Sequence, residues 1–341
     1  TRCEQKRCVT FCGNNICEPN EKTCDANRCV QDCGLCKCED LNGIVCKDTQ
    51  ICSIGYFDSR AGDTSFCCLG SCKQNPELYP IIFVHGHSPS HTDSPNMVYA
   101  FNEMKFKFTQ AQDYIDRGIL YAGSNSQSGS WGGGTSMVST SYYRDFNNQL
   151  SDNQNILIYS QRLSAVVDKV IQNTQSDKVK IVAHSMGGLV TRHYLKYGKG
   201  TDKVHSAIFI GTPNHGIFGN IAEGCESLLG RSTDSPECKE MRSGSTFLTN
   251  LNSPDETPGN VNYLTIHGNT GQIQTTSDPC GDGSGLHDEV ICSKSVPLNG
   301  AKSLAVARQF VSGSGTLHSQ LINPTYSPDV YSFVEDFIKN N

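Results

Sequence analysis

From Tyr79 onward, short apolar runs alternate with stretches in which apolar residues recur every three to four positions. Ile81–Val84, Ile119–Tyr121, Val179–Ala183, Ala207–Ile210 and Val261–Ile266 are strand-sized and β-rich. Leu163, Val166, Val167, Val170 and Ile171 instead keep the i, i+3, i+4, i+7, i+8 spacing of one helix face. The spacing returns at Val330, Phe333, Val334, Phe337 and Ile338, where Ser327 is placed to cap the helix and Pro328 to open it. Apolar strands separated by amphipathic helices predict an α/β fold with a mainly parallel central sheet covered on both faces. Gly123–Thr140 has neither period, and its Gly, Ser and Asn around the single Trp131 predict a long surface loop. No apolar run approaches the roughly 18 residues that span a bilayer, so no transmembrane segment is expected.

Before Tyr79 the pattern is set by cysteine. Of the 18 cysteines, 14 lie between Cys3 and Cys72, and apolar residues are too scarce there to build an ordinary core. Residues 1–35 and 36–75 are read as two cysteine-rich modules, followed by a catalytic domain over 76–341. The linker Lys73–Pro80 is short enough to seat the modules against that domain. The other four cysteines form two close pairs, Cys225 with Cys238 and Cys280 with Cys292. Even counts in both parts predict a disulfide framework made in an oxidising compartment, hence a secreted protein. The polar start at Thr1 is read as the mark of a signal peptide already removed. Cys33-x-x-Cys36-x-Cys38 admits a zinc reading, but no histidine precedes His85, and disulfides are preferred. Glu18, Glu21, Asp25 and Asp32 are read as solvated carboxylates rather than a calcium site. Cys-Gly-Asn-Asn-Ile-Cys-Glu-Pro-Asn-Glu resembles a small module of microbial extracellular proteins that carries no definite function.

Hydrophobic residues make up 36% of the chain and charged residues 18%, an ordinary globular balance. A net charge of −6 without any Lys/Arg cluster gives no basic face for a nucleic-acid partner.

The chemistry concentrates in Val179-Lys-Ile-Val-Ala-His-Ser-Met-Gly-Gly-Leu-Val190, a strand, a sharp turn and the start of a helix. This is a nucleophile elbow with Ser185 at its tip, and Ala183 stands where the usual G-x-S-x-G has its first glycine. Pro80-Ile-Ile-Phe-Val-His-Gly-His87 is a strand ending in His-Gly, which supplies a second oxyanion donor. The donors are then the backbone amides of His87 and Met186, with His85 holding the loop. A third motif, Phe209-Ile-Gly-Thr-Pro-Asn-His-Gly216, is again a strand running into a loop. Together the three resemble the bacterial triacylglycerol lipases, and Cys238–Asn252 is similar to a helix of the secreted actinobacterial members. The resemblance runs from about Tyr79 to the C-terminus, leaving out the cysteine-rich part and the Trp131 loop.

That resemblance implies an α/β-hydrolase fold and a secreted serine hydrolase of carboxylic esters, a lipase or esterase, with no metal or organic cofactor. It places the base at His318, in the loop before the last helix, in the chain order Ser, Asp/Glu, His. His193 lies too close along the helix from Ser185 to fold back, and His215 is a loop residue. For the acid, Asp288 fits the lipase pattern best, Asp282 in a Gly-rich turn is its competitor, and adjacent Glu289 is a third choice. Ile217–Leu251 is a candidate lid, pinned if Cys225 pairs with Cys238; otherwise its apolar residues pack on the domain. Trp131, Ile217 and Phe218 are the expected substrate contacts, and the partner is a lipid or other ester at an insoluble surface. Two alternatives stand beside this reading. One is a polyester depolymerase or acyltransferase of the same fold, with the cysteine-rich part, Trp131, Tyr142 and Tyr143 meeting the polymer. The other is a non-catalytic surface-binding protein on a hydrolase fold.

Overall fold

A computed structural model describes residues 2–4, 7–9, 35–47, 50–54, 57, 61–64, 66–75, 78–87, 95–111, 114–131, 135–218, 235–269, 280–281, 285–307 and 316–341. The chain divides into two compact units, residues 1–75 and 76–341.

In the first unit, Ile44–Val45 pairs antiparallel with Cys67–Cys68, and Gln50–Ile54 with Ser71–Gln74. Three disulfides cross-link these ribbons: Cys38–Cys67, Cys46–Cys72 and Cys52–Cys68. The small buried cluster is Cys36, Cys38, Leu41, Ala61 and Cys67, so cross-links do the work that a larger apolar core does elsewhere. The sulfurs of Cys46, Cys68 and Cys72 lie within 4.8 Å of one another, but two disulfides take them up and leave no thiolates for zinc. Cys33 and the four acidic residues weighed for calcium lie outside the described residues.

The second unit is built on seven strands: β1 (Ile81–Val84), β2 (Tyr114–Leu120), β3 (Thr135–Thr140), β4 (Val179–His184), β5 (Val204–Ile210), β6 (Asn262–Asn269) and β7 (Lys302–Ala307). They lie in the order β7-β6-β5-β4-β1-β3-β2, and every pairing is parallel. The helices used below are α1 (Asn102–Ala111), α2 (Ile156–Thr174), α3 (Met186–Tyr197), α4 (Pro236–Met241), α5 (Thr246–Asn252) and α6 (Pro328–Asn340). Alternation along the strands divides the core. Ile82, Val84, Ile181 and Ala183 pack with α2 and α3, whereas Ile81, Phe83, Val182 and Ile208 pack with α1 and α6. Burial on both faces explains why the central strands read as continuous apolar runs. Among the described residues no helix is long and apolar enough to cross a membrane.

Two expectations are corrected, and one further strand is added. The stretch read as a loop over Gly123–Thr140 contains β3, a fully buried strand between β1 and β2. Its Thr-Ser-Met-Val-Ser-Thr composition hides it, because the ladder on both sides satisfies the backbone while small hydroxylated side chains fit between flanking layers. The edge strand β7 is largely exposed, so no apolar run announced it. At α6, Ser327 and Pro328 stand where expected, but the Ser327 hydroxyl makes no capping bond.

Candidate active site

Strand β4 feeds α3 through one residue. Ser185 takes φ 53° and ψ −130°, a left-handed backbone that costs a non-glycine residue on the order of 1–3 kcal/mol. Two bonds hold it there: the Ser185 amide donates to the Ile210 carbonyl at 2.9 Å, and the Gly188 amide to the Ser185 carbonyl at 2.9 Å. A Cβ on Gly187 would sit 2.2 Å from the His85 carbonyl oxygen, so only glycine lets α3 approach the loop after β1 this closely. The Met186 amide therefore opens a helix beside the serine, where partial positive charge favours an oxyanion.

The loop His85–His87 is held by its own ring and by the end of β3. His85 Nδ1 donates to the Gly86 carbonyl at 2.6 Å, and Nε2 faces Ser141 Oγ at 3.0 Å. The Tyr142 hydroxyl donates to the same Gly86 carbonyl at 2.8 Å, and its ring stacks on His85 at 4.5 Å between centroids. His85 thus has a holding role in geometry. Nothing in the sequence pointed to Ser141 or Tyr142 as supports of this loop, because their placement depends on the unseen strand β3.

Asp288 and His318 meet, 30 positions apart in the chain. Asp288 Oδ2 lies 2.7 Å from His318 Nδ1. The other oxygen, Oδ1, accepts from the Ile291 amide at 2.6 Å and the Val290 amide at 3.1 Å. Because an ionised carboxylate only accepts, Nδ1 carries the proton and Nε2 is the basic nitrogen. The His318 amide also donates to the Asp288 carbonyl at 2.9 Å. Gly211, with φ +58°, lies beneath the pair: a Cβ there would stand 3.0 Å from His318 Nδ1 and 3.2 Å from Asp288 Oδ2. His184, the residue before Ser185, brings the pair to the elbow. Its Nε2 donates to the His318 carbonyl at 3.0 Å, and the two rings lie 4.5 Å apart. Burial, and then the neighbouring His318, push the His184 ring well below the usual histidine range, so it stays neutral.

Glu289, at φ 75°, turns away from the ring and accepts from the Leu317 amide at 2.6 Å, at the start of the short helix bearing His318. His215 faces Glu256 at 2.9 Å instead of the serine. The Cys280–Cys292 disulfide closes the loop that carries Asp288. Cys238 is buried and disulfide-bonded, while Cys225 and Asp282 lie outside the described residues.

The expected substrate contacts fare differently. Trp131 precedes β3, and its amide donates to Asn173 at the end of α2, so it lies at the N-terminal ends of the parallel strands, opposite the end that bears the elbow; Arg117 lies over its ring at 6.0 Å. It does not line this site, and Tyr142 and Tyr143 are buried rather than surface contacts. Ile217 is a core residue 5% exposed, hydrogen-bonded through its backbone to Met241 and Ser243. Phe218 is half-buried beneath the Lys294 ammonium, 4.4 Å from its ring centroid. Residues 219–234 of the candidate lid lie outside the described residues, but 235–252 belongs to the body of the domain. Cys238, Met241, Leu248 and Leu251 are buried there. Lys196 Nζ donates to the carbonyls of Asn250, Leu251, Ser253 and Asp255 at 2.7–3.2 Å, pinning the end of α5.

Among solved structures, the chain is similar to the mature lipase BlEst2 of Bacillus licheniformis, at 19% identity and a TM-score of 0.49 over 76% of this chain and 93% of that one. It is also similar to lipase B of Aspergillus fumigatus, at 17% identity and a TM-score of 0.43 over 76% and 51%. The lin2722 product of Listeria innocua matches at 14% identity and a TM-score of 0.46 over 77% and 95%. A sequence profile described as "Lipase (class 2)" matches residues 78–289, from just before β1 through Asp288. The chain therefore belongs to the class 2 lipase family, and is a carboxylic ester hydrolase on an α/β-hydrolase fold.

Proposed function

We propose that this protein is a secreted serine hydrolase that opens carboxylic esters through an acyl-enzyme on Ser185. The observation that carries the reading is the Asp288–His318 pair at 2.7 Å, packed on His184, the residue before a serine on a left-handed elbow. His318 Nε2 takes the proton of Ser185 Oγ as that oxygen attacks the ester carbonyl carbon. The tetrahedral oxyanion is held by the amides of His87 and Met186. As the intermediate collapses, His318 returns the proton to the departing alcohol, leaving the acyl group on Ser185. Water then attacks the acyl-enzyme by the same steps and releases the acid. Asp288 keeps the imidazole in its Nδ1–H tautomer and stabilises the imidazolium formed in each half-reaction. The disulfides of both units support an extracellular setting. The substrate class is a lipid or other carboxylic ester, as for a triacylglycerol lipase or a carboxylesterase.

A fluorophosphonate probe should label the wild type and not Ser185→Ala, and the substitution should lower kcat by at least about 10⁴-fold. Absence of labelling in the folded wild type would sink the catalytic reading. Nitrophenyl esters of graded chain length, run beside an insoluble polyester, should show turnover of the soluble esters. Turnover of the polyester alone would favour a depolymerase.

A further inference from the structure

The Gly86 carbonyl and the His87 ring are each met by buried groups that no catalytic step consumes. In a trans peptide the carbonyl and the N–H point to opposite edges of one plane, so fixing the carbonyl aims the amide. The Gly86 carbonyl accepts from the Tyr142 hydroxyl at 2.8 Å and from His85 Nδ1 at 2.6 Å. Tyr142 is 1% exposed, and burial pushes its hydroxyl well above its ordinary range, so it remains a donor.

Beside the His87 ring stands Glu237, on α4, with 0% exposure. Its Oε1 faces His87 Nε2 at 3.4 Å, and its Oε2 accepts from the Tyr159 hydroxyl at 3.1 Å. Tyr159 is held in turn by the Gln154 amide at 3.0 Å and packs against the Tyr142 ring at 5.0 Å. A carboxylate with no exposed surface is costly, and an apolar residue of similar volume would pack at least as well there. Oε2 accepts from a tyrosine of α2 while Oε1 lies within ion-pair distance of the His87 ring, so the carboxylate spans the gap between loop and body.

We infer that Tyr142 and Glu237 are positioning residues of the oxyanion hole, Tyr142 by orienting the Gly86–His87 peptide plane and Glu237 by anchoring the His87 side chain. The inference rests on the reading of the His87 amide as an oxyanion donor. It adds that the donor's aim is set by β3 and α4, outside the three sequence motifs. A misplacement of about 1 Å in such a group is worth on the order of 10²-fold in rate.

The test uses the full-length chain with Tyr142→Phe, Glu237→Gln, Glu237→Leu, His87→Leu and the His87→Leu/Glu237→Leu double variant. Sites are counted by fluorophosphonate titration, and thermal unfolding is recorded for each. Tyr142→Phe and Glu237→Leu should lower kcat per titrated site by roughly 10- to 100-fold while KM stays within about 3-fold. Glu237→Gln, which keeps an acceptor oxygen, should recover part of the Glu237→Leu loss. In the His87→Leu background, Glu237→Leu should cost no more than about 2-fold further, because both act through one side chain. The specific readout is the rate ratio between an ester and its thionoester, whose sulfur is a weak acceptor for the hole's N–H donors. Tyr142→Phe should shrink that ratio, whereas a purely structural tyrosine would lower the unfolding temperature and leave it unchanged. Wild-type discrimination with unchanged ratios and kcat in the variants would overturn this inference alone. No discrimination by the wild type would overturn the oxyanion reading beneath it.

Discussion

At the scale of single residues, Asp288 owes its usefulness to a division of labour between its two oxygens. Oδ1 is committed to the Val290 and Ile291 amides, and Oδ2 is left for the imidazole. In Asp288→Asn the amide oxygen would keep the two backbone donors, and the amide NH2 would face His318 Nδ1. The ring would then be driven to the tautomer whose Nε2 cannot accept a proton. We expect kcat to fall by about 10³- to 10⁴-fold with an unfolding temperature close to wild type, measured by ester turnover and thermal melts. A large loss of stability instead would assign Asp288 to the scaffold. Ser185 was legible because a strand, a serine and a helix are contiguous in the chain. Asp288 was legible only through family pattern, with Asp282 beside it, because an acid is selected by its distance to a ring 30 positions away.

At the scale of elements, the loop Cys280–Cys292 and strand β3 show two ways of placing a side chain. The disulfide spans 12 positions and brackets Asp288, and closing a loop of that length contributes about 3 kcal/mol on the chain-entropy estimate. The Cys280→Ala/Cys292→Ala double variant should unfold at lower denaturant and lose turnover, with the remaining disulfides unaffected. Equilibrium denaturation and kcat check this, and wild-type values for both would remove the loop from the stability of the site. Strand β3 works through the ladder instead, delivering Ser141 and Tyr142 to the loop His85–His87. Its Ser/Thr-rich sequence matches a loop by composition, and burial on both faces makes it a strand. The candidate lid divides for a related reason: α4 and α5 are committed to the core by Cys238, Met241, Leu248 and Leu251.

At the scale of the whole molecule, four of the described histidines are held below their ordinary range, His184, His193, His205 and His267, in each case chiefly by burial. His205 is lowered to about 4, with the Lys180 and Lys178 charges adding to burial. Unfolded histidines titrate near 6.5, so between about 6.5 and 4 the unfolded chain binds more protons than the folded one. The stability these neutral rings contribute is complete above pH 6.5 and is lost as pH falls through that window. Urea midpoints should decline from pH 7 to pH 5, and His205→Gln should flatten the decline. A midpoint constant over that range would contradict the assignment.

What the amino-acid order determined by itself is local: the two periods, the elbow around Ser185, the His-Gly loop after β1 and the dense cysteines of residues 1–75. Each is a steric or periodic constraint within a dozen or so neighbours, so it is complete in one stretch of chain. The tertiary structure alone decided which acid meets His318, that Trp131 lies at the opposite ends of the strands, and that Tyr142 and Glu237 lie beside the loop His85–His87. Those outcomes follow from the strand order β7-β6-β5-β4-β1-β3-β2. That order is settled by burying two apolar faces at once, and no single segment encodes it.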